Sequence, residues 1–122
     1  MKLWLPRQTG FCHGVKAAVD KALSLTGNAY CLGEIVHNES VVKALAEKGI
    51  VTVHSVSEVP DGATMLIRAH GEPPETYAEA KRRNITVVDA TCPSVKAIQQ
   101  KAAKYHAEGY LIVLVGNASH PE

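Results

Sequence analysis

Short apolar runs alternate with helix-like stretches along nearly the whole chain. Alternation at this spacing is typical of βαβ units, in which parallel strands are joined by crossover helices. We therefore predict an α/β fold: a mostly parallel sheet with helices on both faces. In chain order, the predicted strands are Lys2–Leu5, Ala29–Leu32, Ile50–Val53, Thr64–Arg68, Thr86–Asp89 and Tyr110–Val115.

Four helices are predicted between these strands. In the first, apolar residues recur at helical spacing from Val15 to Leu25. The second begins after a predicted N-cap at Ser40 and stops at Gly49. The third covers about Pro74 to Arg83, and the fourth about Ser94 to Ala107.

Composition excludes several classes of protein. The net charge of the 122 residues is +1, without a long basic run, which argues against a nucleic-acid partner. No apolar stretch reaches about 18 residues, and the start of the chain lacks a signal-peptide core. The three cysteines form no CxxC pair, so a disulfide framework is not expected. We expect a cytoplasmic protein with no membrane partner.

A cysteine or histidine lies in a short loop after most of the predicted strands. Ligands of open parallel sheets bind at the carboxyl ends of the strands, where such loops meet. Thiols and imidazoles that are far apart in the sequence can therefore converge there on one metal or anion. The five candidates are Cys12, His37, His70, Cys92 and His120.

The two loop cysteines precede predicted helices. Cys12 lies between Gly10 and Gly14, and Cys92 is followed by Pro93. A helix N-terminus favours the thiolate, and a pair of thiolates suits a soft metal or an iron–sulfur cluster. Burial of small side chains at strand–helix junctions remains an equal alternative for this pair. Cys31 lies inside a strand, where burial is the better interpretation.

The loop histidines favour a shared site over three separate surface positions. Imidazoles ligate metals or, when protonated, bind phosphate oxygens. Glu122, two residues after His120, could act as a proton donor or relay. His54 and His106 are interpreted as surface residues.

Five motifs occur in a fixed order: GFCHGV, EIVHN, AHG, DATCP and HPE. This set resembles the LytB/IspH family of iron–sulfur 4-hydroxy-3-methylbut-2-enyl diphosphate reductases. The resemblance extends from about Leu3 to Glu122.

The resemblance implies the first lobe of a longer, three-lobed fold, so that this chain would be truncated. Residues 1–92 would form that lobe, residues 93–122 would begin the second, and a strand within 1–9 could pair with a missing third. A catalytic assignment also follows. Cys12 and Cys92 would bind a 4Fe–4S cluster, His37, His70 and His120 would surround the substrate diphosphate, and Glu122 with His120 would protonate the departing hydroxyl.

The activity implied is the reductive dehydroxylation of this substrate, with loss of water, to isopentenyl and dimethylallyl diphosphate in the methylerythritol phosphate pathway. The electron donor would be a ferredoxin- or flavodoxin-like protein. The family's third cluster cysteine is absent from these 122 residues. We therefore expect the chain alone to be catalytically inactive.

Three other interpretations stay open. The histidines could grip a phosphate or diphosphate without redox chemistry. Cys12, Cys92 and a nearby histidine could hold zinc, which accepts mixed sulfur and nitrogen ligands. The chain could also be a purely structural α/β fragment with an exposed apolar edge.

Overall fold

A computed structural model of the protein describes residues 1–5, 9–36 and 38–117. Its sheet has four parallel strands: β1 (Ala29–Leu32), β2 (Ile50–Val53), β3 (Thr64–Ile67) and β4 (Thr86–Asp89). Their order across the sheet is β2-β1-β3-β4. The four helices are α1 (His13–Leu23), α2 (Glu39–Glu47), α3 (Pro74–Arg82) and α4 (Pro93–Ala107).

Helices cover both faces of this sheet, so the predicted fold class is confirmed. On one face, α1 and α2 pack on Cys31 and Leu66. On the other face, α3 and a short 3-10 helix, Val56–Glu58, pack on Met65 and Ile67. The three residues Met65, Leu66 and Ile67 are fully buried because β3 is an inner strand covered on both sides. Burial of each such side chain contributes about 1.5–3 kcal/mol.

The predicted first and last strands are wrong. Residues 1–5 and 110–115 contain no strand, and apart from the half-buried Ile112 their large apolar side chains lie in solvent. Trp4 is 87% exposed and Val115 is 98% exposed, which leaves both segments without packing against the four-stranded sheet. A strand is stabilised by its neighbours' hydrogen bonds and side chains, and no described strand pairs with either segment.

The start of α2 also differs from the prediction. Asn38, rather than Ser40, is the N-cap, and its side-chain oxygen accepts a hydrogen bond from the Val41 amide at 3.2 Å. Asparagine satisfies a helix N-terminus as well as serine does, so the sequence alone did not separate the two positions. The helix therefore begins directly after the β1 loop.

None of the described helices is long and apolar enough to cross a membrane.

Candidate functional site

The sheet order creates a crevice between β1 and β3. From these two inner strands the chain continues in opposite directions, with β2 outside β1 and β4 outside β3. Such a switch point is where open parallel sheets bind ligands. The loops that follow β1, β3 and β4 all reach this edge of the sheet.

Arg68 joins the loops after β1 and β3. Its guanidinium lies so close to Gly33 that a Cβ there would be 2.8 Å from Nη1. Gly33 also has a φ of +73°, so glycine is required for both reasons. Arg68 Nε is 3.8 Å from a carboxylate oxygen of Glu72. The positive charge is therefore held within the carboxyl edge of the sheet.

The pairing of β3 and β4 continues into their loops and sets the position of Cys92. The Ala90 amide donates to the Ile67 carbonyl and the Cys92 amide donates to the Ala69 carbonyl, both at 2.9 Å. Cys92 is thus hydrogen-bonded to the residue just before His70. These two sequence-predicted site residues lie on adjacent loops.

His70 is itself half-buried in a tight loop. Its carbonyl accepts a hydrogen bond from the Gln99 side chain of α4 at 3.4 Å. The next residue, Gly71, has a φ of +78° and faces Thr91, whose Cγ2 atom would be 3.1 Å from a Cβ at that position. His70 also borders an open groove of about 1000 Å³ between the β3 loop, α3 and α4.

Cys92 lies against the beginning of α1. A Cβ on Gly14 would be 2.4 Å from the Cys92 Sγ and 2.9 Å from its Cβ, so no side chain fits there. Gly14 is buried in the first turn of α1, two residues after Cys12. The fold therefore brings the Cys92 thiol beside the helix start that Cys12 caps.

Both loop cysteines are N-cap residues. Cys12 caps α1, and its carbonyl accepts the Lys16 amide at 2.9 Å; Cys92 caps α4 in the same way through Lys96. The Cys12 side chain is exposed and the Cys92 side chain is half-buried. Two helix N-termini, each with a partial positive charge, thus begin at cysteines near one another.

Asp89 organises the turn before Cys92. Its Oδ1 atom accepts hydrogen bonds from the Thr91 amide, at 2.9 Å, and from the Thr91 hydroxyl. Its Oδ2 atom accepts one from Lys96 at 3.0 Å. Burial alone would raise the pKa of Asp89, but the hydrogen bonds from Thr91 and Lys96 outweigh it and lower that pKa. The same contact raises the pKa of Lys96.

Cys31 takes no part in this site. It is 2% exposed within the core under α1 and α2, which confirms the prediction of burial. Burial raises the pKa of its thiol to about 11, although the charge of Arg68 acts in the opposite direction. His54 and His106 are both exposed, as predicted.

Three predicted site residues lie outside the described part of the chain: His37, His120 and Glu122. Within the described ranges 1–5, 9–36 and 38–117, no group of three or more His, Cys, Asp or Glu side chains is arranged to hold a metal ion. The described part of the site consists of Cys12, His70 and Cys92.

The sequence indicated Gly14 only as a glycine at a helix start, not as a contact of Cys92, and it indicated no role for Asp89. The Asp-Ala-Thr pattern directly before a predicted helix was a usable signal, because aspartate commonly bonds its own backbone two residues later. The close approach of Cys92 to Gly14 had no local signal, because the two residues are far apart in the sequence.

Fold and site together define a class: a parallel α/β domain with two helix-capping thiols and an imidazole at the carboxyl edge of its sheet. The profile of the family described as LytB protein matches residues 3–122. The chain belongs to this family.

Its relatives are named as reductases. Over its whole length the chain is 46% identical to the 4-hydroxy-3-methylbut-2-enyl diphosphate reductase of Citrifermentans bemidjiense, of which it covers 44%. It is 38% identical to the enzyme of that name from Clostridioides difficile and covers 45% of it. The chain thus spans less than half the length of these curated relatives.

Solved structures show the same relationship. The E-1-hydroxy-2-methyl-but-2-enyl-4-diphosphate reductase of Plasmodium falciparum superposes with a TM-score of 0.86 at 31% identity, over 93% of this chain and 37% of that one. A second structure is that of (E)-4-hydroxy-3-methyl-but-2-enyl diphosphate reductase, described as the terminal enzyme of the non-mevalonate pathway. It superposes with a TM-score of 0.80 at 40% identity, over 92% of this chain and 41% of that one.

Proposed function

We propose that this chain forms the N-terminal part of a 4-hydroxy-3-methylbut-2-enyl diphosphate reductase and supplies two of its cluster ligands. The observation that carries this proposal is the position of the Cys92 thiol against Gly14, beside the helix that Cys12 caps. Relatives matched over the full length of the chain bear the name of this enzyme.

The two cysteines suit an iron–sulfur cluster. Thiolates are the usual ligands of such clusters, and both cysteines stand at helix N-termini, which carry partial positive charge. Glycine at position 14 admits the Cys92 sulfur to the start of α1, where any side chain would collide with it. When bound, the cluster would pass electrons from the external donor to the substrate. Its third cysteine ligand would come from outside these 122 residues.

His70 would bind the substrate's diphosphate together with His37 and His120. Diphosphate oxygens need hydrogen-bond donors that can carry positive charge, and imidazoles provide both. His70 fits this role because its loop is fixed by Gly71 against Thr91 and by the Gln99 contact. A loop that is already fixed places the imidazole at the site with less backbone entropy to lose on binding.

Glu122 and His120 would supply protons to the departing hydroxyl group. One proton completes water as the carbon–oxygen bond breaks, and two electrons with a second proton on the allylic carbon would give isopentenyl or dimethylallyl diphosphate. A carboxylic acid and an imidazole are the side chains that most commonly transfer protons at neutral pH. The electrons would enter from a ferredoxin- or flavodoxin-like donor in the cytoplasm.

The lobe boundary near residue 92 is part of the same proposal. Residues 1–92 would be the first lobe, and residues 93–122 the beginning of the second. α4 buries none of its residues against the sheet, unlike α1, α2 and α3. The lack of buried residues in a helix that starts directly at the site supports a lobe boundary there.

A chimera tests the proposal. The matching N-terminal 44% of the Citrifermentans bemidjiense reductase would be replaced by this chain, since the two are 46% identical there. We expect the chimera to bind iron and sulfide and to reduce the substrate. Cys12→Ser and Cys92→Ser should each abolish both properties, whereas Cys31→Ser, the matched control in the core, should retain them.

Failure of the cysteine variants to differ from Cys31→Ser would refute the assignment of ligands. The chain alone provides a second test, by iron–sulfur reconstitution and electron paramagnetic resonance. We expect no turnover from it. Saturable shifts of histidine resonances with inorganic diphosphate, and no iron uptake in the chimera, would instead support a phosphate-binding module.

A further inference from the structure

The turn between β4 and α4 is held from three directions. Its amide at Cys92 is bonded to the β3 loop through the Ala69 carbonyl at 2.9 Å. Lys21 of α1 donates to the Asp89 carbonyl at 2.6 Å, and Lys96 of α4 donates to the Asp89 carboxylate at 3.0 Å. Three separate elements therefore meet at this one turn.

Within the turn, the Asp89 carboxylate closes a ring onto Thr91. One oxygen, Oδ1, receives both the amide and the hydroxyl of Thr91. The other oxygen, Oδ2, receives Lys96. Hydrogen bonds to an ionised acceptor are about twice as strong as those between neutral groups. The carboxylate thereby fixes the backbone immediately before Cys92.

The sulfur of Cys92 has little freedom to adjust if that backbone moves. It already fills the space beside Gly14, where an added Cβ would be 2.4 Å away. A small rotation of the turn would carry the sulfur either into α1 or away from the helix start capped by Cys12. The position of the thiol thus depends on the geometry of residues 89–91.

We propose that Asp89 is a positioning residue that holds the Cys92 thiol in place for ligation, a function that rests on the proposed role of Cys92 in cluster binding. Its carboxylate contacts lie on the turn and on α4, and its side chain is 26% exposed, outside the two apolar core clusters. Loss of the carboxylate should therefore disturb the thiol while the core stays intact.

The three cysteines of the chain provide the readout. Alkylation by iodoacetamide, followed by peptide mass spectrometry, reports each thiol separately in the chain as it exists. At a pH above the ordinary thiol pKa, the rate depends mainly on access to the sulfur. Cys12 is exposed, so its rate measures the reactivity of the reagent itself. Cys31 is buried, so its rate measures unfolding of the core.

Asp89→Ala should raise the alkylation rate of Cys92 by about tenfold, the factor expected when a hydrogen bond to a charged acceptor is lost. Cys12 and Cys31 should keep their rates. Asp89→Asn retains an oxygen for both Thr91 donors but loses the charge and the acceptor for Lys96, so its rate should lie between those of the native chain and Asp89→Ala. Thr91→Val, which keeps the amide donor and loses the hydroxyl, should give an intermediate rate and serves if Asp89→Ala does not fold.

An unchanged rate at Cys92 in both Asp89→Ala and Thr91→Val would overturn the inference, as would a parallel rise at Cys31. These measurements need no cluster and no substrate. The alkylation rates can therefore show that Asp89 positions Cys92 even if the chimera binds no iron. Equally, the chimera can bind iron while the rates show that Asp89 does not position Cys92.

Discussion

The Cys92 side chain occupies the space that a Cβ of Gly14 would need, with Sγ 2.4 Å from that position. This contact joins the start of α1 to the start of α4, two elements that are remote in the sequence. It decides where one proposed cluster ligand lies relative to the other.

Gly14→Ala should lower the free energy of unfolding by about 1–2 kcal/mol, because the added methyl group overpacks the contact with Cys92. Without that contact the substitution would be favourable, since alanine stabilises a helix interior by up to about 1 kcal/mol relative to glycine. Urea unfolding of the two proteins measures the difference.

The control for this prediction is the same substitution in a Cys92→Gly background, which removes both atoms that would collide. There Gly14→Ala should be neutral or stabilising. Equal destabilisation in both backgrounds would mean that the steric argument is wrong.

Cys31 should make the protein less stable at alkaline pH. Its pKa is raised to about 11 in the folded protein by burial, from a reference of 9.0. The unfolded chain therefore loses this proton first, and stability falls as the pH rises from about 9 to about 11. A shift of this size corresponds to about 2–3 kcal/mol.

Unfolding free energies of the native chain and Cys31→Ala, measured from pH 8 upward, isolate this contribution from lysine and tyrosine titration. Between about pH 9 and about pH 11 the native chain should lose more stability than the variant. Parallel curves would contradict the prediction.

Asn38→Ala should destabilise the protein by about 1 kcal/mol, because the first turn of α2 loses the side-chain acceptor for the Val41 amide. Asn38→Ser keeps an acceptor and should lose little. Ser40→Ala, two residues further along the same turn, is the matched control, and it should change the unfolding free energy by less than about 0.5 kcal/mol. A larger effect at Ser40 than at Asn38 would reverse the assignment of the cap.

Asp89 should contribute stability that disappears in acid. The hydrogen bonds from Thr91 and Lys96 lower its pKa below the reference of 3.8 against the opposing effect of burial. The contribution is present above pH 3.8 and is lost as the pH falls through the lowered pKa of the folded protein.

Asp89→Asn should accordingly be less stable than the native chain at pH 7, by about 1 kcal/mol for a partly exposed group. The two unfolding curves should converge as the carboxylate is protonated. A difference that persists unchanged in strong acid would show that charge is not involved.

Much of this fold was predictable from local pattern. Four of the six predicted runs, such as Thr64–Ile67, are strands because they are short, apolar and bounded by turn residues. Their alternation with helices indicated the parallel arrangement. The segments Lys2–Leu5 and Tyr110–Val115 carry the same local pattern and are not strands. Local pattern does not report whether a neighbouring strand is present.

The site divides in the same way. That Cys12 and Cys92 begin helices followed from the glycines and the proline beside them, and the loop position of His70 followed from the strand before it. The approach of Cys92 to Gly14 and the ring of hydrogen bonds at Asp89 did not follow.

The sequence by itself determined the α/β class, the strands β1 to β4 and the family, because periodicity, turn chemistry and the order of motifs can be read along the chain. Only the tertiary structure decided which loops touch and which apolar segments stay exposed. Those outcomes depend on distances between residues far apart in the chain, and such distances exist only after the sheet and its helices have packed.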